Sequence, residues 1–360
     1  MVSPQANSQI FILQSSFFCN GVKMNTDKKY SQFALVREMR QTPGILGKFS
    51  LKNAQKAIEA IKEKGKLFFT GEGSSRIFPA KNAMYCARRA GYNLNLAAEG
   101  GLQACSYDLS DFVVFSASNS GRTKEDIHLF ERLKSIGHKN LYALTANRKT
   151  KLESLAKQTF ILSCGREEAV PATKSVAEQA LFYQSLLGAV QGIDLQKKFA
   201  ALADAFNAAL TMPVDKKIID AIASAGTIYF AGRNDGVAEE LTLKTNEITR
   251  KKSDYLEGTY AVHGIEEVMN PDDVVILIDP FKSELEKIKQ TLADGVGMKV
   301  FAVCDEDTIF PTIKIADIGE LGNYVYLAAG WNILVETGVS LGINLDKPQR
   351  ARKVGNEFIG

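Results

Sequence analysis

The chain is poor in the residues that build disulfide frameworks and metal centres. Its five cysteines (Cys19, Cys86, Cys105, Cys164, Cys304) are scattered, odd in number and form no CxxC pair. That indicates neither a disulfide frame nor a zinc site and reads as the reduced thiols of a cytoplasmic protein. Histidine occurs only three times. No run of about 18 apolar residues exists, so no segment reads as a membrane-spanning helix. Excess charge is also lacking: Lys+Arg 44 against Asp+Glu 41 leaves +3. Such balance argues against nucleic acid or an anionic membrane face as partner, but one local cluster of donors still suffices for a small anion. What is present is ordinary globular composition, 45% hydrophobic and 24% charged over 360 residues. Disorder, collagen and coiled coil are excluded, and the length fits two units of about 100–200 residues each.

Residues 1–23 have no basic start, and their apolar pieces are broken by Gln-Ser-Ser, which does not fit a signal peptide. They read as a loose extension, or as upstream sequence attached by a wrong start. An opening helix is expected over 24–50. Short apolar runs then alternate with amphipathic stretches: KLFFTG (66–71), YNLNLAAEG, DFVVFSAS (111–118), NLYALTA (140–146) and TFILSC (159–164), separated by helical patterns. This is the βαβ rhythm of a parallel sheet covered on both faces. After a helical linker over 195–225 the rhythm repeats with TIYFAG, DVVILID and MKVFAVC, about 160 residues on. The expectation is an α/β chain of two duplicated doubly wound domains, 51–195 and 196–343, ending in a polar arm over 344–360.

Ligands of such sheets lie at the carboxyl ends of the strands, where helix N-termini offer free N–H groups. GEGSSR (71–76) and SNSGRT (118–123) follow the first and third strands and combine glycine with hydroxyls, a set that holds a phosphate monoester without fixed charge. Each alone reads equally as a capped helix start, and a lone GxG is no dinucleotide fingerprint. The second copy acts as a control: AGRNDG (231–236) and DPFKSE (279–284) lack the hydroxyl cluster, and Asp279 and Pro280 suit an anion poorly. One phosphate site per chain is therefore expected, in the first copy.

The second copy offers acids instead. AEELTLKTNEITRKKSD (238–254) has a helical pattern with Glu240, Lys244 and Glu247 on one face. It reads either as a solvated salt-bridged stripe or as a proton-transfer set. His263, in the loop-like YAVHGIEE, is the better histidine for proton transfer or else a satisfied buried one, whereas His128 and His138 read as surface residues. Lys174, in AVPATKS, reads as an anion contact or an exposed lysine. Lys353, in the basic tail, reads as solvated.

Together these motifs resemble the tandem sugar-isomerase (SIS) domain family, specifically the isomerase half of glucosamine-6-phosphate synthase and the related glucosamine-6-phosphate deaminases. The resemblance runs from REMRQTPGIL (38–47) to the tail after Pro348, and it implies two flavodoxin-like domains. It further implies that Ser75, Ser118, Asn119, Ser120 and Thr123 clamp the sugar phosphate and that Val170 and Ala172 line the sugar pocket. On the same basis Glu247 moves a proton between C1 and C2, with Glu240 and Lys244 on the same helix. His263 opens the ring from the neighbouring subunit of a homodimer, and Lys353 lies near the open-chain carbonyl. Departures are Val262 and Ile265 around His263-Gly264, and Gln349 where arginine is usual. The chain does not begin Met-Cys-Gly and Cys19 has no nucleophile-like context, so the resemblance implies no glutamine-dependent amination by this chain alone. The acids before AVPATKS look more like the deaminase branch. The implied activity is that of a cytoplasmic enzyme without metal or cofactor, isomerising and deaminating a hexosamine 6-phosphate. Plain aldose–ketose isomerisation, fructosamine 6-phosphate deglycation and a non-catalytic sugar-phosphate sensor are the alternatives.

Overall fold

A computed structural model describes residue 24 and residues 27–359; the extension over 1–23, with Cys19, lies outside the described residues. Among the described residues ten strands form two all-parallel sheets: β1 (Lys66–Gly71), β2 (Asn95–Glu99), β3 (Val113–Ala117), β4 (Leu141–Thr145), β5 (Gln158–Ile161), β6 (Thr227–Gly232), β7 (Lys252–Glu257), β8 (Val274–Ile278), β9 (Lys299–Cys304) and β10 (Thr312–Lys314). The first sheet runs β2-β1-β3-β4-β5 and the second β7-β6-β8-β9-β10. The two strand orders are the same, and both place the winding reversal between the first and third strands of the copy.

Side-chain alternation along the strands divides the core into three parts. Leu67 and Phe69 of β1 join one continuous apolar core with Ile228 and Phe230 of β6 and the almost wholly buried helices Lys174–Val190 and Gly322–Ser340. Phe68 turns instead to an outer cluster with Val114, Phe130 and Leu141, and Tyr229 to its counterpart with Val275, Leu277 and Leu285. The shared central core fixes the two sheets against each other. A buried polar chain crosses the same boundary: Asn323 donates to Asn82 Oδ1 at 2.9 Å, and Tyr324 donates to Gln184 Oε1 at 3.0 Å.

The helix expected over 238–254 ends at Thr249. Arg250 takes a left-handed φ of 60° and stops it, and Lys252, Ser253 and Asp254 pair in parallel with Thr227, Ile228 and Tyr229 as part of β7. The polar, charged character of that strand hid it, because as a sheet edge it needs few apolar side chains. His138 is not a free surface residue either: it is half-buried, its Nε2 is 3.0 Å from the Leu109 carbonyl, and burial holds its pKa down. The terminal arm begins in the core, with Leu345 fully buried, and then crosses to the first sheet. On the way Asp346 accepts from the N–H groups of Ala34 and Leu35, at the start of the helix Ala34–Gly47, at 3.0 and 2.8 Å, and beyond it Glu357 forms a backbone bridge with Thr123.

Candidate active site

The acid–lysine–acid face is built on the helix Val237–Thr249, which follows β6 after Gly236 at φ 89°. A Cβ at Gly236 would come within 2.7 Å of the Ile77 carbonyl, so only glycine lets this helix start approach the first half so closely. Lys244 is fully buried. Its Nζ lies 3.2 Å from Glu240 Oε1 and 2.7 Å from Glu247 Oε2, and it donates to Ser74 Oγ at 2.6 Å. The solvated-stripe reading is excluded, since the Lys244 and Glu240 side chains are both 0% exposed. Burial raises the Glu240 pKa to about 7, with Lys244 opposing the rise. Burial would lower Lys244, but Glu247 and Glu240 outweigh it and hold the ammonium charged well above its ordinary range. Glu247 differs in access: its side chain is 21% exposed, so it alone of the three presents a carboxylate at the surface of the cluster.

The two hydroxyl loops lie side by side because β1 and β3 pair up to Gly71 and Ala117. Gly71 is held so tightly that a Cβ would come within 2.8 Å of the Ala117 carbonyl. In the second loop Ser118 is buried, its Oγ is 2.8 Å from Thr123 Oγ1, and it accepts from the Gly121 N–H at 3.1 Å. Ser120 Oγ accepts from the Arg122 N–H at 3.1 Å. These contacts fold the loop into a turn immediately before the helix Lys124–Ser135. In the first loop it is Ser74, not Ser75, that meets Lys244; the half-buried Ser75 side chain has no hydrogen bond among the described residues.

A residue outside the sequence-derived set ties the remaining parts together. Glu167 is fully buried and accepts from Asn119 Nδ2 at 3.0 Å, Ser175 Oγ at 2.7 Å, the Thr173 N–H at 2.8 Å and Lys353 Nζ at 3.3 Å. Burial alone would raise its pKa, yet Lys353 and the Thr173 and Ser175 donors hold it below the ordinary value. Its neighbour Glu168 is 75% exposed, and nothing in the sequence separates the two acids. Val170 donates its N–H to the Asp346 carbonyl at 2.8 Å, which fastens the half-buried Val170–Ala172 segment to the arm. Lys174 is neither exposed nor free for an anion: it is buried and donates to Gln41 Oε1 at 2.8 Å. Lys353 is not simply solvated, since it is held by Glu167.

The structure thus joins Glu240, Lys244 and Glu247 to the first hydroxyl loop, and Asn119 to Lys353. It leaves His263 apart, exposed after β7, its ring without a hydrogen bond among the described residues. The buried-histidine reading is therefore excluded. A cavity of about 850 Å³ lies elsewhere, at the carboxyl edge of the second sheet beside Arg233, Asp279 and Cys86, and none of the candidate residues lines it. There Arg233 is paired with Asp279, which stands where the first sheet carries Ser118. Size alone does not make that cleft the reactive one, because it lacks a hydroxyl loop and a buried acid–lysine cluster. Among the described residues no three His, Cys, Asp or Glu come together in a way that could hold a metal ion, and no helix is long and apolar enough to cross a membrane.

No family model matches the chain. It is 23% identical over 324 residues to a glutamine–fructose-6-phosphate aminotransferase (isomerizing) of Neisseria meningitidis, covering 84% of this chain and 53% of that protein. The chain thus spans about half the length of this curated relative. The structure superposes on tagatose-6-phosphate ketose/aldose isomerase from Escherichia coli with a TM-score of 0.74 at 18% identity, covering 90% of this chain and 98% of that one. It superposes on glucosamine-6-phosphate deaminase from Thermotoga maritima with a TM-score of 0.71 at 19% identity, covering 89% and 99%. At these identities the superpositions establish the fold.

Proposed function

The homologues and structural neighbours of this chain are phosphosugar isomerases of the tandem sugar-isomerase (SIS) kind, and from that premise we propose that it is an enzyme acting on a hexosamine 6-phosphate, opening the ring, shifting a proton between C1 and C2 and releasing ammonia. The observation that carries the reading is the Glu240–Lys244–Glu247 cluster, buried on one side and presenting Glu247 on the other, fastened to a hydroxyl loop of the first sheet. A base that works near neutrality needs a controlled charge environment, and one fully buried lysine between two carboxylates supplies it.

In this reading Ser75, Ser118, Asn119, Ser120 and Thr123, with the N–H groups of their loops, take the phosphate. That anchors one end of an open-chain sugar at the carboxyl edge of the first sheet. Glu247 removes the C2 proton of the aldehyde and returns it at C1, while Glu240 and Lys244 fix its position and charge. The shift, with one proton taken up at the C1 oxygen and one given up by the amine nitrogen, leaves a C2 imine; water adds to it, ammonia departs, and the ketose phosphate remains. Lys353 stands by the carbonyl, Val170 and Ala172 line the sugar, and no metal or cofactor takes part. Ring opening falls to the partner subunit's His263. Its exposure in the single chain, next to exposed Tyr260 and Val268, is what a residue directed into a neighbouring protomer requires. The domains so used are 51–195 for phosphate and 196–343 for acid–base chemistry, closed by the arm over 344–360, in a cytoplasmic homodimer.

The likeness to the tagatose-6-phosphate isomerase favours a second reading, in which the same residues interconvert an aldose and a ketose phosphate without losing ammonia. A panel of hexose and hexosamine 6-phosphates, assayed for ketose formation and for ammonia, decides between them. Ammonia from glucosamine 6-phosphate supports deamination. Ketose formation from hexose phosphates alone supports the isomerase, and binding without turnover supports a sensor.

A further inference from the structure

The two carboxylate oxygens of Glu167 do different jobs. Oε1 accepts from the Thr173 and Ser175 N–H groups, at 2.8 and 3.3 Å, and so satisfies first-turn donors of the helix Lys174–Val190. Oε2 accepts from Asn119 Nδ2 at 3.0 Å, Ser175 Oγ at 2.7 Å and Lys353 Nζ at 3.3 Å. One oxygen therefore faces the fold, and the other faces the second hydroxyl loop and the terminal arm. The arm is bound to that loop a second time, since Lys124 donates its N–H to the Asn356 carbonyl at 3.1 Å and Phe358 donates to Arg122 O at 2.9 Å. Resting on the site proposed above, we infer that Glu167 is a positioning residue: a single buried oxygen sets the direction of the Asn119 amide at the phosphate end and of the Lys353 ammonium at the carbonyl end.

A fully buried carboxylate is suited to this. It cannot swing into solvent, and its ionised form accepts several charge-assisted hydrogen bonds at once. With Oε1 pinned by the helix N–H groups, Oε2 has one place to be, and both ligand-facing groups are indexed to it. Loss of that index by a fraction of an ångström costs turnover rather than folding.

Glu167→Gln separates the two jobs. The amide keeps a carbonyl oxygen for Thr173 and Ser175, but puts an NH₂ where Asn119 and Lys353 need an acceptor. Expected are a melting temperature near that of the wild type, a kcat lowered by about 10- to 100-fold, and a KM raised several-fold. Lys353→Met alone lowers kcat, and the double variant falls little below Lys353→Met, because two members of one contact do not act independently. Fully multiplicative losses, or wild-type kinetics in Glu167→Gln, overturn the inference. Amide hydrogen exchange gives a readout independent of the reaction. Faster exchange over 350–358 in Glu167→Gln supports the inference, and unchanged exchange overturns it. Should the wild type turn over no sugar phosphate while the arm loosens in the variant, the proposed reaction fails and the positioning role stands.

Discussion

Nζ of Lys244 donates to the hydroxyl of Ser74 at 2.6 Å, across 170 positions of chain. The lysine belongs to the helix after β6 and the serine to the loop after β1, so the elements that follow the first strand of each sheet meet at one atom pair. The two sheets share one strand order, yet the ends that meet here are chemically unlike. The hydroxyl side suits an anion, and the acid–lysine side suits proton transfer.

Removing the lysine shows how much of the cluster depends on it. Lys244→Met leaves two carboxylates in a site where both had been paired. Breaking a buried pair by deleting one partner costs about 3–5 kcal/mol. Urea denaturation near pH 8 should show a loss of that order. The loss should shrink toward pH 6, where Glu240 regains its proton. A loss under about 1 kcal/mol would mean that water reaches the cluster and screens it.

Glu240 makes its own contribution to pH dependence. Its native pKa is raised from 4.5 to about 7 by burial. Between those two values the native chain holds a proton that the unfolded chain has released, so this group lowers stability as pH rises through the window and adds no slope above it. Glu240→Gln removes the contribution. The fall in stability of the variant between pH 5 and pH 8 should be shallower than that of the wild type, by denaturant midpoints at both pH values. Equal falls would show that the carboxyl is ionised throughout.

Glu247 is the partly exposed member of the trio, and the prediction for it concerns rate. Glu247→Gln keeps the size and the contact to Lys244 but removes the proposed base. Turnover should fall about 10²–10⁴-fold, the usual worth of a positioned proton acceptor. Sugar-phosphate affinity, measured by calorimetry, should change less than about tenfold, since none of the clamp residues is altered. Full activity in this variant would assign the base elsewhere.

The second hydroxyl loop predicts the opposite pattern. Ser118 and Thr123 share a 2.8 Å contact, and Ser118 also receives the Gly121 N–H. Replacing both by Ala removes two hydroxyls and frees the turn that aims the loop N–H groups. KM for the phosphorylated substrate should rise about 10- to 100-fold, as expected for two lost charge-assisted hydrogen bonds. An unphosphorylated analogue should be affected far less. Equal effects on both would remove the phosphate from this loop.

How much of this is legible without coordinates depends on how local each feature is. The first-sheet strands and their helices follow from apolar runs and glycine stops such as Gly65, which ends the helix Gln55–Lys64 at φ 63°. β7 is not legible, because an edge strand of the composition KSDYLE carries the pattern of a helix end. Glu240, Lys244 and Glu247 stand out by their spacing, but spacing cannot tell a buried face from a solvated one; contact with Ser74 decides that. Glu167 does not stand out in the sequence, since a buried carboxylate and its exposed neighbour Glu168 look alike until the arm folds back and Lys353 reaches it. For the site, what the sequence leaves out is the contacts made across long stretches of chain.

His263 gives the strictest test of an assembly. In the single chain it is exposed and stands outside the Lys244 cluster, so in the proposed enzyme each reaction centre needs Glu247 from one protomer and His263 from the other. His263→Ala and Glu247→Gln should each be nearly inactive as homodimers. When the two are unfolded together and refolded as a mixture, a mixed dimer contains one centre with both residues intact and one with neither. Random pairing makes half of the dimers mixed, so activity should return to roughly a quarter of the wild-type value, by the arithmetic of a two-fold symmetric pair. If each protomer uses its own histidine, mixing restores nothing, and the exposed loop after β7 would need another explanation.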